Sequence, residues 1–373
     1  MRTIAALEND GTPRLLCPFG TAQLRILLLA IDGQGAIRDE DSRQMKTVVS
    51  WALACGVLIV MPNQTINVVG RIERLDPRFD AIVSPGSVVE KVAQGLVWAE
   101  GPLWDPADES LLFSDVPRNA IFRWRPDTGV TLFMARSGYT GDEPFAGREG
   151  GSNGLAFDRD GRLVFCQHGN RRVVRREKDG QITVLADRFQ GKRFNSPNDL
   201  VYASNGDLYF TDPVFGLPKA FDDPEKELPF QGVYRLAATG ELTALVTDLR
   251  LPNGIGLSPD ERTLYVSNSQ RSRPVWIAYA LSATGAIAGQ RLFADASEWM
   301  QPSDGLPDGL KVDRAGNVFA TGPGGVHVFA PDGTRLGRIE TGVPTGNVAF
   351  GPKGVLFIAA NHWILRVRTG TGE

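Results

Sequence analysis

Cysteine and histidine are scarce, three of each in 373 residues. Cys17, Cys55 and Cys166 stand far apart without a CxxC spacing, which argues against a disulfide framework and against a thiolate zinc site. An excess of one charge is also lacking. The formal net charge is -3, with no basic stripe or polybasic tail, so nucleic-acid binding has no electrostatic footprint. No apolar run reaches the roughly 20 residues that span a bilayer as a helix. There is no GxSxG elbow and no Ser/His/Asp set with supporting context. The run Gly322-Pro323-Gly324-Gly325 reads as a turn, because no helical pattern follows it to make a phosphate loop.

What the chain has in plenty is glycine and proline, 42 and 24 residues, which suits many short strands and tight turns. From about residue 87 one pattern recurs. A polar residue, usually followed by Gly or Asp, opens an apolar strand that ends in Asp, Ser or Gly; a turn and a second apolar strand follow. The copies begin at Glu100, Asn153, Asn198, Asn253, Asp308 and, more weakly, Gly346, spaced 38 to 55 residues apart. A mostly-strand repeat near 40 to 50 residues marks a propeller blade. Asp160-Gly161, Asp179-Gly180, Asn205-Gly206 and Asp332-Gly333 supply hairpin turns between apolar runs. The expected fold is therefore all-β, a six-bladed β-propeller over residues 86–373 with about four strands per blade. The last copy runs close to the C-terminus, so residues 88–97 are expected to supply its closing strand, leaving no open edge. Residues 1–85 are read as an N-terminal extension, with 71–85 as a polar linker.

In a propeller the inner strands line the central channel, so the opening residues of the six copies meet on one axis. Glu100, Asn153, Asn198, Asn253 and Asp308 all carry an amide or carboxylate oxygen there. Two carboxylates crowded together would repel and resist desolvation. A bound cation relieves both costs. Hard oxygen donors without Cys or His favour Ca²⁺ or Mg²⁺ over zinc. Asn-Gly and Asp-Gly are also plain turn dipeptides, but turns alone do not explain five polar residues at the same repeat position.

These residues sit in motifs that resemble the senescence marker protein/gluconolactonase family of six-bladed propellers. The motifs are Ala99-Glu100-Gly101-Pro102, Gly151-Ser152-Asn153-Gly154 leading to Gln167-His168-Gly169, Ser196-Pro197-Asn198-Asp199, Leu251-Pro252-Asn253-Gly254 and Pro307-Asp308-Gly309. Each alone is weak; their order over residues 71 to the end is specific. The resemblance implies one axial metal, Ca²⁺ first with Mg²⁺, Mn²⁺ and Zn²⁺ as alternatives, held by Glu100, Asn198, Asn253 and Asp308. It implies hydrolysis of a lactone, such as a sugar lactone. Relatives that cleave phosphotriesters keep an esterase on the same metal as a second reading; a non-catalytic binding platform is the third.

For lactone opening, the metal polarises the carbonyl and a nearby group takes the proton of water. Asp308 is the first candidate base, although a metal-bound carboxylate is a weak one; Asp199 and His168 are the alternatives. Asn153 is expected to bind substrate hydroxyls, with His168 and Asn198 beside it. Asp115 and Asp212 read as turn residues. Arg148 and Glu149, in the polar loop 137–151, read as solvated charge. The N-terminal apolar stretches 24–31 and 48–61 leave two readings open. A start at Met45 makes the second stretch an export signal, with a periplasmic or secreted product; otherwise it is a buried helix in a cytoplasmic protein.

Overall fold

The computed structural model describes residues 67–301 and 305–370, with a short antiparallel ladder of Ala6–Leu7 against Pro13–Arg14. The chain divides into two units, Met1–Val57 and Leu58–Glu373. The ladder belongs to the first and the propeller to the second. Stretches 24–31 and 48–61, Met45, Cys17 and Cys55 lie outside the described residues.

Each repeat copy opens the innermost strand of a sheet whose strands follow one another antiparallel in chain order. The first blade runs Ala99–Asp105, Ser110–Asp115, Ala120–Arg125 and Gly129–Ala135. Five more sheets of this kind complete six blades. The Asp-Gly and Asn-Gly signals fall at hairpins as expected: Gly161, Gly180, Gly206 and Gly333 all have φ between 70° and 95°, a conformation that costs glycine little.

The repeat has a packing reason as well. In three blades the ladder between the first and second strands shifts register at the axial end, between Glu100 and Leu103, Ser152 and Leu155, and Pro252 and Ile255. A bulge of this kind re-aims one side chain, here the axial Glu or Asn. The glycine that follows lets neighbouring inner strands approach. A Cβ on Gly101 would lie 2.1 Å from the Asn153 carbonyl oxygen, and one on Gly254 would lie 2.3 Å from that of Asp308.

The closing strand is Val89–Gln94, which pairs with Trp363–Arg368 in the sixth blade, inside the span the sequence implied. The seam it seals is apolar. Val92, Ala93 and Ile364 from the sixth blade pack with Phe113, Phe122 and Trp124 from the first. One expectation changes. Residues 71–85 are not a free linker. Arg71–Arg74 adds a fifth strand to blade five, pairing with Gly337–Glu340, and Asn67–Val69 adds a fifth strand to blade six. The helical turn Phe79–Ile82 then buries Phe79, Ile82 and Val83 against both blades. Burying such side chains contributes roughly 1.5–3 kcal/mol each, enough to hold a short charged strand in place. No helix among the described residues is long and apolar enough to cross a membrane.

Candidate functional site

The amides at the axis form one hydrogen-bonded chain across three blades. Ser269 Oγ donates to the Pro307 carbonyl at 2.5 Å, so its lone pair is left to accept Asn253 Nδ2 at 2.9 Å. That orientation turns Asn253 Oδ1 toward Asn198, whose Nδ2 donates to it at 2.6 Å. Asn198 Oδ1 then accepts Asn153 Nδ2 at 2.9 Å and lies 2.9 Å from His168 Nε2. The chain ends on Asn153 Oδ1, a buried oxygen without a partner. All three amides and His168 are buried.

Because Asn198 Oδ1 is an acceptor, His168 must present Nε2–H to it. Burial pushes the His168 imidazole down to about 4, so the ring is neutral near pH 7. Its other nitrogen, Nδ1, lies 3.5 Å from the Glu149 carboxylate. Desolvation raises Glu149 to about 7, and the third of its side chain that stays open to water tempers that shift.

Glu100 is buried, with Oε1 receiving Trp98 Nε1–H at 3.3 Å and Oε2 receiving the Gly101 amide at 3.1 Å. Its carboxyl is raised to about 8, first by desolvation and then by Asp199. Asp308 is partly open, and its carboxyl is also raised well above the ordinary range by desolvation, Glu100, Glu149 and Asp199. Both carboxyls are raised chiefly by burial, and Glu100 adds to the shift of Asp308. Among the described residues no three His, Cys, Asp or Glu side chains gather as a metal site. The axial set instead mixes two carboxylates with amides.

Asp199, which adds to the shifts of Glu100 and Asp308, has partners of its own. Its Oδ1 accepts the Leu200 amide, its Oδ2 accepts Asn347 Nδ2 at 3.2 Å, and Lys311 Nζ lies 4.0 Å away. Asn347 belongs to blade six and Asp199 to blade three, so this pair bridges blades on opposite sides of the propeller. It fills space that glycine leaves elsewhere: Asp199 Oδ1 lies over Gly154, and the Asn347 amide over Gly309.

Asp115 and Asp212 act as struts. Asp115 accepts the amides of Val97 and Trp98, and Asp212 accepts those of Asn195 and Ser196, two or three residues ahead of Glu100 and Asn198. Glu149 is the residue the sequence undervalued. Its loop is pinned rather than loosely solvated: Asn119 Oδ1 accepts the Gly138 and Tyr139 amides, and the Tyr139 and Phe145 rings lie 5.2 Å apart. A cavity of about 420 Å³ lies between this loop, Asn119 and Arg136. It is lined by no axial residue, so the candidate site is the axial group and not this cavity.

Six blades around a polar, oxygen-lined axis define a class of propeller proteins. Residues 98–362 match the SMP-30/Gluconolactonase/LRE-like region, and the chain belongs to that family. It is 42% identical over 318 residues to a gluconolactonase from Zymomonas mobilis, covering 83% of this chain and 89% of that one. It is 30% identical over 262 residues to the pentonolactonase XacC from Haloferax volcanii, covering 68% and 77%. The solved gluconolactonase XC5397 from Xanthomonas campestris superposes with a TM-score of 0.72 at 33% identity, over 83% of this chain and 99% of that one.

Proposed function

We propose that this chain is a lactone hydrolase of the carboxylic ester class, acting on a sugar lactone with the help of one divalent cation. The observation that carries the reading is the axial group itself. It holds two buried or half-buried carboxylates, both raised by desolvation and by neighbouring carboxylates, and an orphaned amide oxygen, within a chain 42% identical to a gluconolactonase.

The donor set suits a hard cation. Glu100, Asn198, Asn253 and Asp308 would hold it, the Asn198 and Asn253 amide oxygens giving up hydrogen bonds they accept here in favour of the ion, and Ca²⁺ would be favoured by the mixture of carboxylate and amide oxygens. When bound, such an ion polarises a carbonyl and stabilises the oxyanion that forms on it. The remaining work falls to the chain. Asn153, with its unpartnered Oδ1, accepts a substrate hydroxyl. His168 donates Nε2–H to Asn198 Oδ1, and its Nδ1 faces the Glu149 carboxylate at 3.5 Å. Asp308 is the open carboxylate of the group and takes the proton from the attacking water. Asp199 is engaged with Asn347 and Lys311 and serves as the floor of the site, not as the base. A phosphotriesterase on the same residues is the second reading, and a non-catalytic platform has no use for two self-repelling carboxylates at its axis.

A panel of aldonolactones, simple lactones and phosphotriesters separates these readings; the proposal expects aldonolactones to be turned over fastest. Asn153→Ala and His168→Ala are expected to keep near-normal divalent-ion affinity while losing kcat/KM by about 1–3 kcal/mol each, the cost of an unpaired polar contact. A lactone without ring hydroxyls should feel Asn153→Ala less. Loss of ion binding in Asn153→Ala would move that residue into the ligand set.

A further inference from the structure

The second strands of the blades carry a repeated feature that the function above does not use. Opposite the axial residue stands Ser114 in blade one, Thr211 in three, Ser267 in four and Thr321 in five, all fully buried. Each hydroxyl donates to the backbone carbonyl of the axial residue in the next blade. Ser114 reaches Asn153 O at 2.9 Å, Thr211 reaches Asn253 O at 2.6 Å, Ser267 reaches Asp308 O at 2.6 Å and Thr321 reaches Gly346 O at 2.8 Å.

Two of them also accept from their own blade. Thr211 Oγ1 takes the Asp199 amide at 3.1 Å, and Ser267 Oγ takes the Gly254 amide at 2.7 Å. The main chain around Asn198, Asn253 and Asp308 is thus joined in series, each link a single hydroxyl that accepts from one blade and donates to the next. The two blades without a hydroxyl carry Cys166 and Ala359 at this position. Behind Cys166, the Gly154 amide serves the Asn198 carbonyl instead, at 2.8 Å.

We infer that Thr211 and Ser267 are positioning residues that set the spacing between the axial oxygens of Asn198, Asn253 and Asp308, and that Ser114 does the same for Asn153. Apolar packing between blades fixes their separation only loosely, because apolar contact is not directional. A hydrogen bond across each seam fixes it to a few tenths of an ångström. Groups that orient ligands from behind typically change ion affinity 10- to 100-fold when removed.

This inference rests on the axial group being an ion site, and the experiment separates the two. Calcium binding is measured by calorimetry, with KM and kcat on gluconolactone, for the wild type and for Thr211→Val, Thr211→Ser, Ser267→Ala and Ser114→Ala. Thr211→Val, which keeps the side-chain shape, and Ser267→Ala are expected to bind calcium at least about tenfold more weakly. Thr211→Ser should restore the wild-type affinity. Ser114→Ala should keep calcium affinity and raise KM. A merely structural role would lower thermal stability in all three without that split between ion affinity and KM. Equal calcium affinity in Thr211→Val, Ser267→Ala and wild type would overturn the inference. A wild type that binds no divalent ion would overturn the ion site beneath it. If Thr211→Val does not fold, the smaller Ser267→Ala change decides alone.

Discussion

Asp308→Ala is expected to lose divalent-ion binding and lactone hydrolysis together. Asp308 is one of the two carboxylates in the candidate ligand set and the more exposed of them. Its removal takes away both a negatively charged donor and the proposed proton acceptor. The loss in kcat/KM should be at least about 100-fold, the scale of deleting one preorganised group that stabilises developing charge. The fold should survive, because removing a carboxylate that Glu100 raises relieves repulsion instead of creating it. Calorimetry, kinetics and a far-ultraviolet spectrum of one preparation check all three parts. A variant that binds calcium as tightly as the wild type would remove Asp308 from the ligand set.

The second large effect is on stability and follows from the direction of the carboxyl shifts. Glu100 is raised from its ordinary value of 4.5 to about 8, and Asp308 moves the same way. In protein stripped of divalent ions, the folded state keeps protons that the unfolded state has already released. Stability linked to these groups is complete below about pH 4.5 and is lost as pH rises toward 8. A bound cation favours the ionised carboxylates and cancels that loss. The difference in melting temperature between calcium-saturated and chelated protein should therefore widen from pH 5 to pH 8, by roughly 5 °C or more. Taking the difference at each pH removes titrating groups elsewhere, such as Asp212, which is also raised but lies in a strut. A difference that stays flat with pH would contradict the electrostatic account of the site.

The blades and their axis could be read from the chain because one strand pattern recurs six times, five of them with a polar residue at the axis. Four of those polar residues are followed by a glycine, and at Gly101 and Gly254 the neighbouring backbone would lie within about 2 Å of an added Cβ. Repetition turns a weak dipeptide into a pattern. What occurs once was harder to read. Arg71–Arg74 carries no apolar alternation, since an edge strand is held by its ladder to Gly337–Glu340 and by Phe79 further along.

Glu149 looked like solvated charge because its loop is held through the Gly138 and Tyr139 amides by Asn119, 19 and 20 residues earlier in the chain. Asp199 looked like part of the chemistry because it adjoins Asn198. Its carboxylate instead accepts the Leu200 amide and Asn347 Nδ2, a partner in blade six that the local sequence cannot show. The hydroxyls of Ser114, Thr211 and Ser267 have partners in the next blade, a relation that one strand cannot reveal.

The central claim is that the axial oxygens hold one divalent ion on which lactone opening depends. The most direct test is hydrolysis of gluconolactone, above its spontaneous rate, by protein stripped with a chelator and then given back Ca²⁺, Mg²⁺, Mn²⁺ or Zn²⁺ one at a time. The account predicts a fall of at least about 100-fold on stripping, with recovery at one equivalent of ion per chain and Ca²⁺ among the ions that restore it. Undiminished hydrolysis by the fully stripped protein would contradict it.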